Sequence, residues 1–259
     1  MQMKNIILEK AAKGIPSIGT FSHLKSSVMI DALAYTELDY IILDMEHAPL
    51  GTNEADELVA LAAARGFSPV VRINTIERSA VLKALDSGAH GIIVPNLKTI
   101  EEAKQLVEWG KYAPEGERGF CPTRDVAWGA APQFEGGMVS YMKYCNENTL
   151  ILPQCETKEC VEIVDEVAAL PGIGGLFIGP MDLSINLGVP GQFDEPVFKE
   201  AVAKTVAACK KHGKLSMGFA GNADLANAYI KEGYSSVAYR VDIMMLQGAY
   251  AQALKDIDI

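Results

Sequence analysis

The chain has 259 residues, 49% of them hydrophobic, and a formal net charge of −10. That length and apolar content suit one large domain or two small ones; the acidic balance argues against nucleic acid as a partner, and no apolar run approaches the roughly 20 residues of a membrane span. The five cysteines (Cys121, Cys145, Cys155, Cys160, Cys209) form neither a Cys-x-x-Cys pair nor a metal-finger spacing, and without an apolar leader in MQMKNIILEKAAKG they read as reduced thiols of a cytoplasmic protein.

Residues 16–21 read as a short first strand, and Ser26 or Ser27 is placed to cap a helix over 28–35. The second strand, 40–44, lies in YIILDMEHAPL. Its run Ile41-Ile42-Leu43 is how a strand buried on both faces reads. It ends in three ionisable groups, Asp44, Glu46 and His47. Charges at a strand mouth are costly to desolvate. One acid is explained as a cap for the next helix; a carboxylate–carboxylate–imidazole cluster is not. His47 is the group there best able to trade protons near neutral pH, and a nearby acid would fix its tautomer and raise its basicity.

Asn53 then caps a helix carrying Ala55, Leu58, Val59 and Ala62 at helical spacing, ended by Gly66. Residues 69–72 form a third strand with Arg72 at its end. A helix over 77–85 leads to a fourth strand at 91–95. Thr99 and Glu102 make a capping box for the helix through Trp109. Residues 111–137 are rich in Gly and Pro and carry no regular pattern; so long an irregular segment is more often functional than idle. A helix at 138–146 precedes a fifth strand, 149–155, which ends at Glu156. The next helix runs to about Ala169. The sixth strand, 175–179, is followed by Pro180-Met181-Asp182. Asp194 and Pro196 open a long helix. Residues 214–219 form a seventh strand, 223–232 a helix, 236–239 an eighth strand and 243–254 a last helix.

Strand and helix alternate throughout, and the strands are continuously apolar, the mark of a parallel sheet covered on both faces. Eight such units predict a single (β/α)8 barrel domain over 1–259, a fold typically of about 250 residues. A barrel places chemistry at the C-terminal ends of its strands. Asp44, Glu46, His47, Arg72, Glu156 and Asp182 all fall there.

Glu156 and Asp182 offer hard oxygen ligands suited to Mg²⁺ or Mn²⁺. Each alone reads more readily as a cap for the helix that follows; together across one mouth they favour a metal. Arg72 suits a substrate carboxylate or an enolate oxygen, or an ion pair with a neighbouring strand-end acid. Gln154 is an inward-pointing amide for substrate. His23, His90 and His212 lack such company and read as structural or surface residues. Within the fifth to eighth strands themselves the one lysine is Lys214, at a strand start, which disfavours a Schiff base. The chain has no P-loop and no Gly-x-Gly-x-x-Gly, and no organic cofactor is expected.

The stretches LDMEHAPL, GAHGIIVPNLKTIEEAKQLVEWGKYAPEGERG, PQCETKE and GLFIGPMDLSINLG resemble the HpcH/HpaI aldolase family of metal-dependent pyruvate aldolases. The resemblance covers nearly the whole chain, in the family's order. It implies a (β/α)8 barrel that cleaves or forms 4-hydroxy-2-oxo acids, releasing pyruvate and an aldehyde through a pyruvate enolate. It implies Glu156 and Asp182 as ligands of Mg²⁺, Mn²⁺ or Co²⁺, His47 as acid/base with Asp44 as its partner, Arg72 as enolate stabiliser and Gln154 as a ligand of bound pyruvate. Phe21 stands where the family often has tryptophan, and Met181 where it has a small residue; both bear on aldehyde choice. The family's hexamers, with C-terminal helices exchanged between subunits, imply a homo-oligomer, in which Asp86 could reach a neighbour's site. The rival expectations are a lyase acting on CoA thioesters, of the citrate-lyase β-subunit kind, and a barrel that binds a keto acid without turnover. The first needs a basic groove that this acidic chain does not obviously offer.

Overall fold

In the computed structural model, which describes residues 5–255 and 257, the strands send alternate side chains into two different cores. The strand β2 (Tyr40–Asp44) shows the rule. Tyr40 and Ile42 pack inside the barrel with Val70, Ile93, Leu152 and Phe177. Ile41 and Leu43 pack outward, against a helical layer that includes Leu58, Val81 and Leu106. A strand buried on both faces needs apolar residues at every position, which is why the usual period of two is missing from the sequence.

The strands β1 (Ser17–Ser22), β2, β3 (Ser68–Arg72), β4 (Gly91–Val94), β5 (Leu150–Cys155), β6 (Gly175–Ile178), β7 (Leu215–Ala220) and β8 (Ser236–Val241) pair in parallel and in chain order. β1 closes the barrel on β8 through Ser17↔Ser236 and Gly19↔Ala238. At Gly19 the backbone runs against the buried Tyr40 ring, where any Cβ would collide with ring carbons. No helix among the described residues is long and apolar enough to cross a membrane.

The helices follow as the caps dictate. Ser26 accepts the Met29 N–H at 3.2 Å and starts α2 (Ser27–Leu33), after a short α1 (Ile6–Ala11) that carries no sequence signal of its own. α3 (Thr52–Ala64) begins one residue before Asn53; its cap is Gly51, whose N–H the Glu54 carboxylate accepts at 3.1 Å. α4 (Arg78–Asp86) is followed by α5 (Ile100–Gly110), whose Thr99–Glu102 capping box is present. α6 (Gly137–Asn148) and α7 (Lys158–Ala169) flank β5. A short α8 (Pro180–Asn186) opens directly after β6, then come α9 (Pro196–Lys211), α10 (Ala223–Glu232) and α11 (Asp242–Lys255). Asp182 therefore lies in the first turn of α8 rather than at its cap, which is Gly179.

Residues 111–136 are irregular apart from two 3-10 turns, Arg124–Gly129 and Pro132–Phe134. An aromatic cluster of Tyr112, Phe120, Phe134 and Tyr141 anchors them. The buried Arg118 guanidinium holds Asp86 at 2.8 Å and Asp125 at 3.1 Å and lies over the Tyr112 ring. The five cysteines are free thiols.

Candidate active site

Strand parity aims the chemistry. With Tyr40 and Ile42 inside the barrel, Asp44 must also point inward; with Val70 inside, so must Arg72; with Leu150 and Leu152 inside, so must Gln154. Glu156 continues the same face one step past the end of β5. At the C-terminal end of the barrel Arg72 and Gln154 open onto a cleft with a volume of about 690 Å³, with Asp44 and Glu156 buried behind them. Phe21, His47, Arg72, Gln154, Met181 and Asp182 line it, and so does His23. Phe21, Phe177 and Phe219 meet edge to face, at centroid distances of 5.8 and 6.0 Å, and make its apolar floor.

Asp44 and Arg72 form a two-pronged pair. Arg72 Nε donates to Asp44 Oδ1 at 2.8 Å and the second guanidinium prong to Oδ2 at 2.6 Å. Asp44 Oδ1 also accepts the backbone N–H groups of Glu46 and His47, at 3.0 and 3.3 Å. Burial alone would raise the Asp44 carboxyl; hydrogen bonds from His23 and Arg72 outweigh it and hold the group well below the usual carboxylate range. The guanidinium lies 4.8 Å from the Phe21 ring centre, so its plane is packed as well as bonded.

The expected Asp44–His47 side-chain pair is not formed. A carboxylate has about four lone-pair sites, and Asp44's are taken by Arg72, two backbone N–H groups and His23, whose Nε2 lies 2.8 Å from Oδ2. The His47 imidazole stands more than half exposed, nearest to Glu46 at 3.7 Å. Glu46 is at ion-pair distance from Arg72, 3.3 Å, but among the described residues its buried Oε2 accepts no hydrogen bond. Burial pushes its carboxyl upward in spite of Arg72.

Glu156 is 2% exposed. Its Oε1 accepts the Asn96 N–H at 2.7 Å, and its Oε2 faces the Gln154 amide. Asn96 reaches it from a left-handed backbone, φ 58°, a strained geometry for a residue with a Cβ. A Cβ on Gly179 would come within 2.8 Å of both the Gln154 amide and Glu156 Oε2, so bare backbone is needed beside them. Burial, then repulsion from Glu46 and Asp182, raises the Glu156 carboxyl above its ordinary range.

Mutual repulsion between carboxylates at a mouth is what a bound cation relieves. Among the described residues no three His, Cys, Asp or Glu side chains form a ready cluster for a metal. Glu156 and Asp182 alone match a hard cation that keeps several waters and takes substrate oxygens, as Mg²⁺ does. The donor set thus fits a divalent metal with open positions.

Asp86 lies outside the cleft, tied to Arg118 of its own chain. His90 and His212 are where a structural or surface reading puts them: His90 is buried against Ser68, its pKa lowered by burial to about 4, and His212 pairs with Asp165 at the surface. His23 is not. It follows β1 by one residue, which puts it on the catalytic face, and that position was its only signal in the sequence. Asp242, the first residue of α11, was missed as well. Its buried carboxylate accepts the Ser22 hydroxyl at 2.8 Å and the His23 N–H at 2.9 Å.

The family profile described as HpcH/HpaI aldolase/citrate lyase matches residues 17–249. A hydroxypyruvate/pyruvate aldolase of Rhizorhabdus wittichii is 30% identical over 246 residues, covering 94% of this chain and 95% of that protein. A 5-keto-4-deoxy-D-glucarate aldolase of an Enterobacter species is 34% identical over 248 residues, covering 95% and 93%. The crystal structure of an HpcH/HpaI aldolase/citrate lyase family protein from Burkholderia cenocepacia superposes with a TM-score of 0.89 at 30% identity, covering 98% and 99% of the two chains.

Proposed function

Since this chain belongs to the HpcH/HpaI aldolase/citrate lyase family, we propose that it is an aldolase that interconverts a 4-hydroxy-2-oxo acid with pyruvate and an aldehyde. The observation that carries this reading is the meeting of the Arg72 guanidinium, the Gln154 amide and the Asp182 carboxylate in the lining of one cleft at the ends of β3, β5 and β6, with the buried Glu156 carboxylate against Gln154. The aldolase names of the relatives at 30% and 34% identity support it.

Arg72 has its Nε and one terminal nitrogen occupied by Asp44. The remaining terminal nitrogen, Nη1, faces Glu46 Oε2 at 3.3 Å and is the donor nearest the cleft for a substrate oxygen; charge growing on an enolate is what such a fixed donor stabilises. Glu156 and Asp182 would hold Mg²⁺, Mn²⁺ or Co²⁺, which when bound supplies Lewis-acid polarisation of the 2-oxo group. Gln154 presents its amide to the same space, with Oε1 unpartnered among the described residues. The sequence motif gives proton transfer at the 4-hydroxyl to His47, at the rim of the cleft. Phe21 and Met181 border the space left for the aldehyde. Among the described residues Arg72 is the one Lys or Arg lining the cleft, and it is already paired with Asp44, which disfavours a site for the phosphates of a CoA thioester.

A screen of aldehydes against pyruvate with Mn²⁺ tests the activity. Addition should stop with EDTA and return with Mg²⁺, Mn²⁺ or Co²⁺, and borohydride with pyruvate should leave the protein unmodified by mass. A lysine adduct would overturn the metal-dependent reading.

The hexamer with exchanged C-terminal helices is part of the same proposal. From Met244 onward α11 has no buried side chain in the single chain, yet it carries Met244, Tyr250 and Leu254 at 54%, 65% and 55% exposure. That much exposed apolar surface on one helix favours cover by another subunit. Light scattering should return six times the chain mass, and a monomer would sink the idea. Five free thiols support a reducing, cytoplasmic setting.

A further inference from the structure

We infer that the aldehyde half of the substrate is uncharged and carries an apolar tail, and that Phe219, with Phe21, Val241 and Met181, selects it. This rests on the aldolase reading and names the class of aldehyde within it.

The mouth of the barrel is divided in two. The inward-pointing Asp44, Arg72 and Gln154 stand at or next to the ends of β2, β3 and β5. The strands β6, β7, β8 and β1 are consecutive neighbours in the closed sheet, and near their ends they carry Phe177, Phe219, Val241 and Phe21. All four side chains belong to the interior packing of the barrel, and all four line the cleft. Phe21 and Val241 stand opposite each other in the β1–β8 register, and Phe21 meets both Phe177 and Phe219 edge to face. Four adjacent strands thus present one continuous apolar wall. Of its members Phe219 alone is half-buried, and the others are buried, so Phe219 has the most surface left to give to a ligand. Met181, in the first turn of α8, lines the same cleft at 52% exposure, and a thioether chain adapts its shape to what it covers.

The polar lining is already committed. Arg72 is tied by two prongs to Asp44, and His23 Nε2 lies 2.8 Å from Asp44 Oδ2. Gln154, Asp182 and His47 serve pyruvate, the metal and the proton in the aldolase reading. Among the described residues no Lys, Ser, Thr, Asn or Tyr side chain lines the cleft. A carboxylate or phosphate on the aldehyde would enter beside Asp182 with no uncommitted cation to meet it, and hydroxyls along the tail would lose water without a side-chain partner. An alkyl or aryl tail loses nothing polar and gains contact with the wall.

The wild-type chain, with Mn²⁺ and pyruvate, tests this on aldehydes matched in shape, with KM taken for the unhydrated form. From propanal to butanal to pentanal, each methylene should raise kcat/KM by about threefold to fourfold. 4-Methylpentanal should exceed 4-oxobutanoate, its isostere with a carboxylate in place of the isopropyl group, by at least about tenfold, and propanal should exceed glyceraldehyde, the same skeleton with two hydroxyls. Phe219→Ser should flatten the methylene series through KM rather than kcat, and Phe219→Leu should keep it. A flat series in the wild type overturns the proposal. So does 4-oxobutanoate matching its isostere, since that requires a cation this cleft does not offer. A series unchanged in Phe219→Ser would take the selection away from Phe219. Oxaloacetate decarboxylation by the wild type, which uses no aldehyde, separates the two failures: its absence sinks the aldolase reading, whereas its presence without the preferences sinks only the aldehyde class. Unreactive alcohols give a readout without turnover. By saturation-transfer NMR with Mg²⁺ and saturating pyruvate, 4-methylpentan-1-ol should bind the wild type and 4-hydroxybutanoate should not; the reverse order overturns the proposal even in a protein without aldolase activity.

Discussion

Arg72→Ala is expected to abolish both aldol turnover and oxaloacetate decarboxylation, by about 10²–10³-fold each, because every reaction through an enolate needs the same donor. The change also strikes the fold. Asp44 is fully buried and loses two of its hydrogen bonds, and breaking a buried ion pair from one side costs about 3–5 kcal/mol. The pH dependence has a definite sign. Asp44 is held below its unfolded value, so it stabilises the fold above about pH 4 and that contribution is lost as the pH falls through the depressed folded value. In Arg72→Ala the folded value rises, so the stability gap between variant and wild type is widest at neutral pH and narrows in acid. Urea unfolding at pH 7.5 and pH 4 measures it. Arg72→Lys guards against simple misfolding: it keeps a charge but not the two-pronged geometry, and should recover stability better than activity. Unchanged decarboxylation in either variant would remove Arg72 from the chemistry.

Glu156→Gln and Asp182→Asn should each weaken Mn²⁺ binding by more than about 100-fold, since even residues that only support a metal ligand cost 10–100-fold when changed. Neither should destabilise the metal-free protein. Glu156 is a buried acid repelled by Glu46 and Asp182, so the neutral isostere removes an unfavourable charge. Its Oε1 can still accept from Asn96, and Gln154 can turn its unpartnered Oε1 toward the new amide. Calorimetric titration with Mn²⁺ and thermal melts in EDTA give the two numbers. Full metal affinity in either variant would mean that the ligand pair is wrong.

The positions of Asp44, Arg72, Gln154 and Glu156 were legible in the sequence because strand parity is a counting rule, and short apolar runs let one count from Tyr40, Val70 and Leu150. Partners were much less legible. Asp44 had several suitors and a limited number of lone pairs, and which imidazole reached it depended on the path of the loop after β1. That path is set by Asp242, 219 residues later in the chain than His23, which no local pattern reveals. α1 and α8 escaped for another reason. Each has six or seven residues, too short for a helical period to stand out.

The seam between β1 and β8 has a consequence for how the chain is made. β1 leaves the ribosome first and its partner Ser236 lies 219 residues behind Ser17, so through nearly all of synthesis one side of β1 is an unpaired edge. Closure becomes available only once β8 has emerged, and the same event brings in Asp242, which fixes the loop carrying His23. A nascent chain therefore lacks both a sealed sheet and an ordered site until its last strand arrives. α11 follows immediately and contributes little but its first turn to the barrel beneath it. Truncations that remove β8 thus leave an aggregation-prone open sheet, whereas stops within α11 leave a sealed barrel that lacks part of its exposed apolar helix.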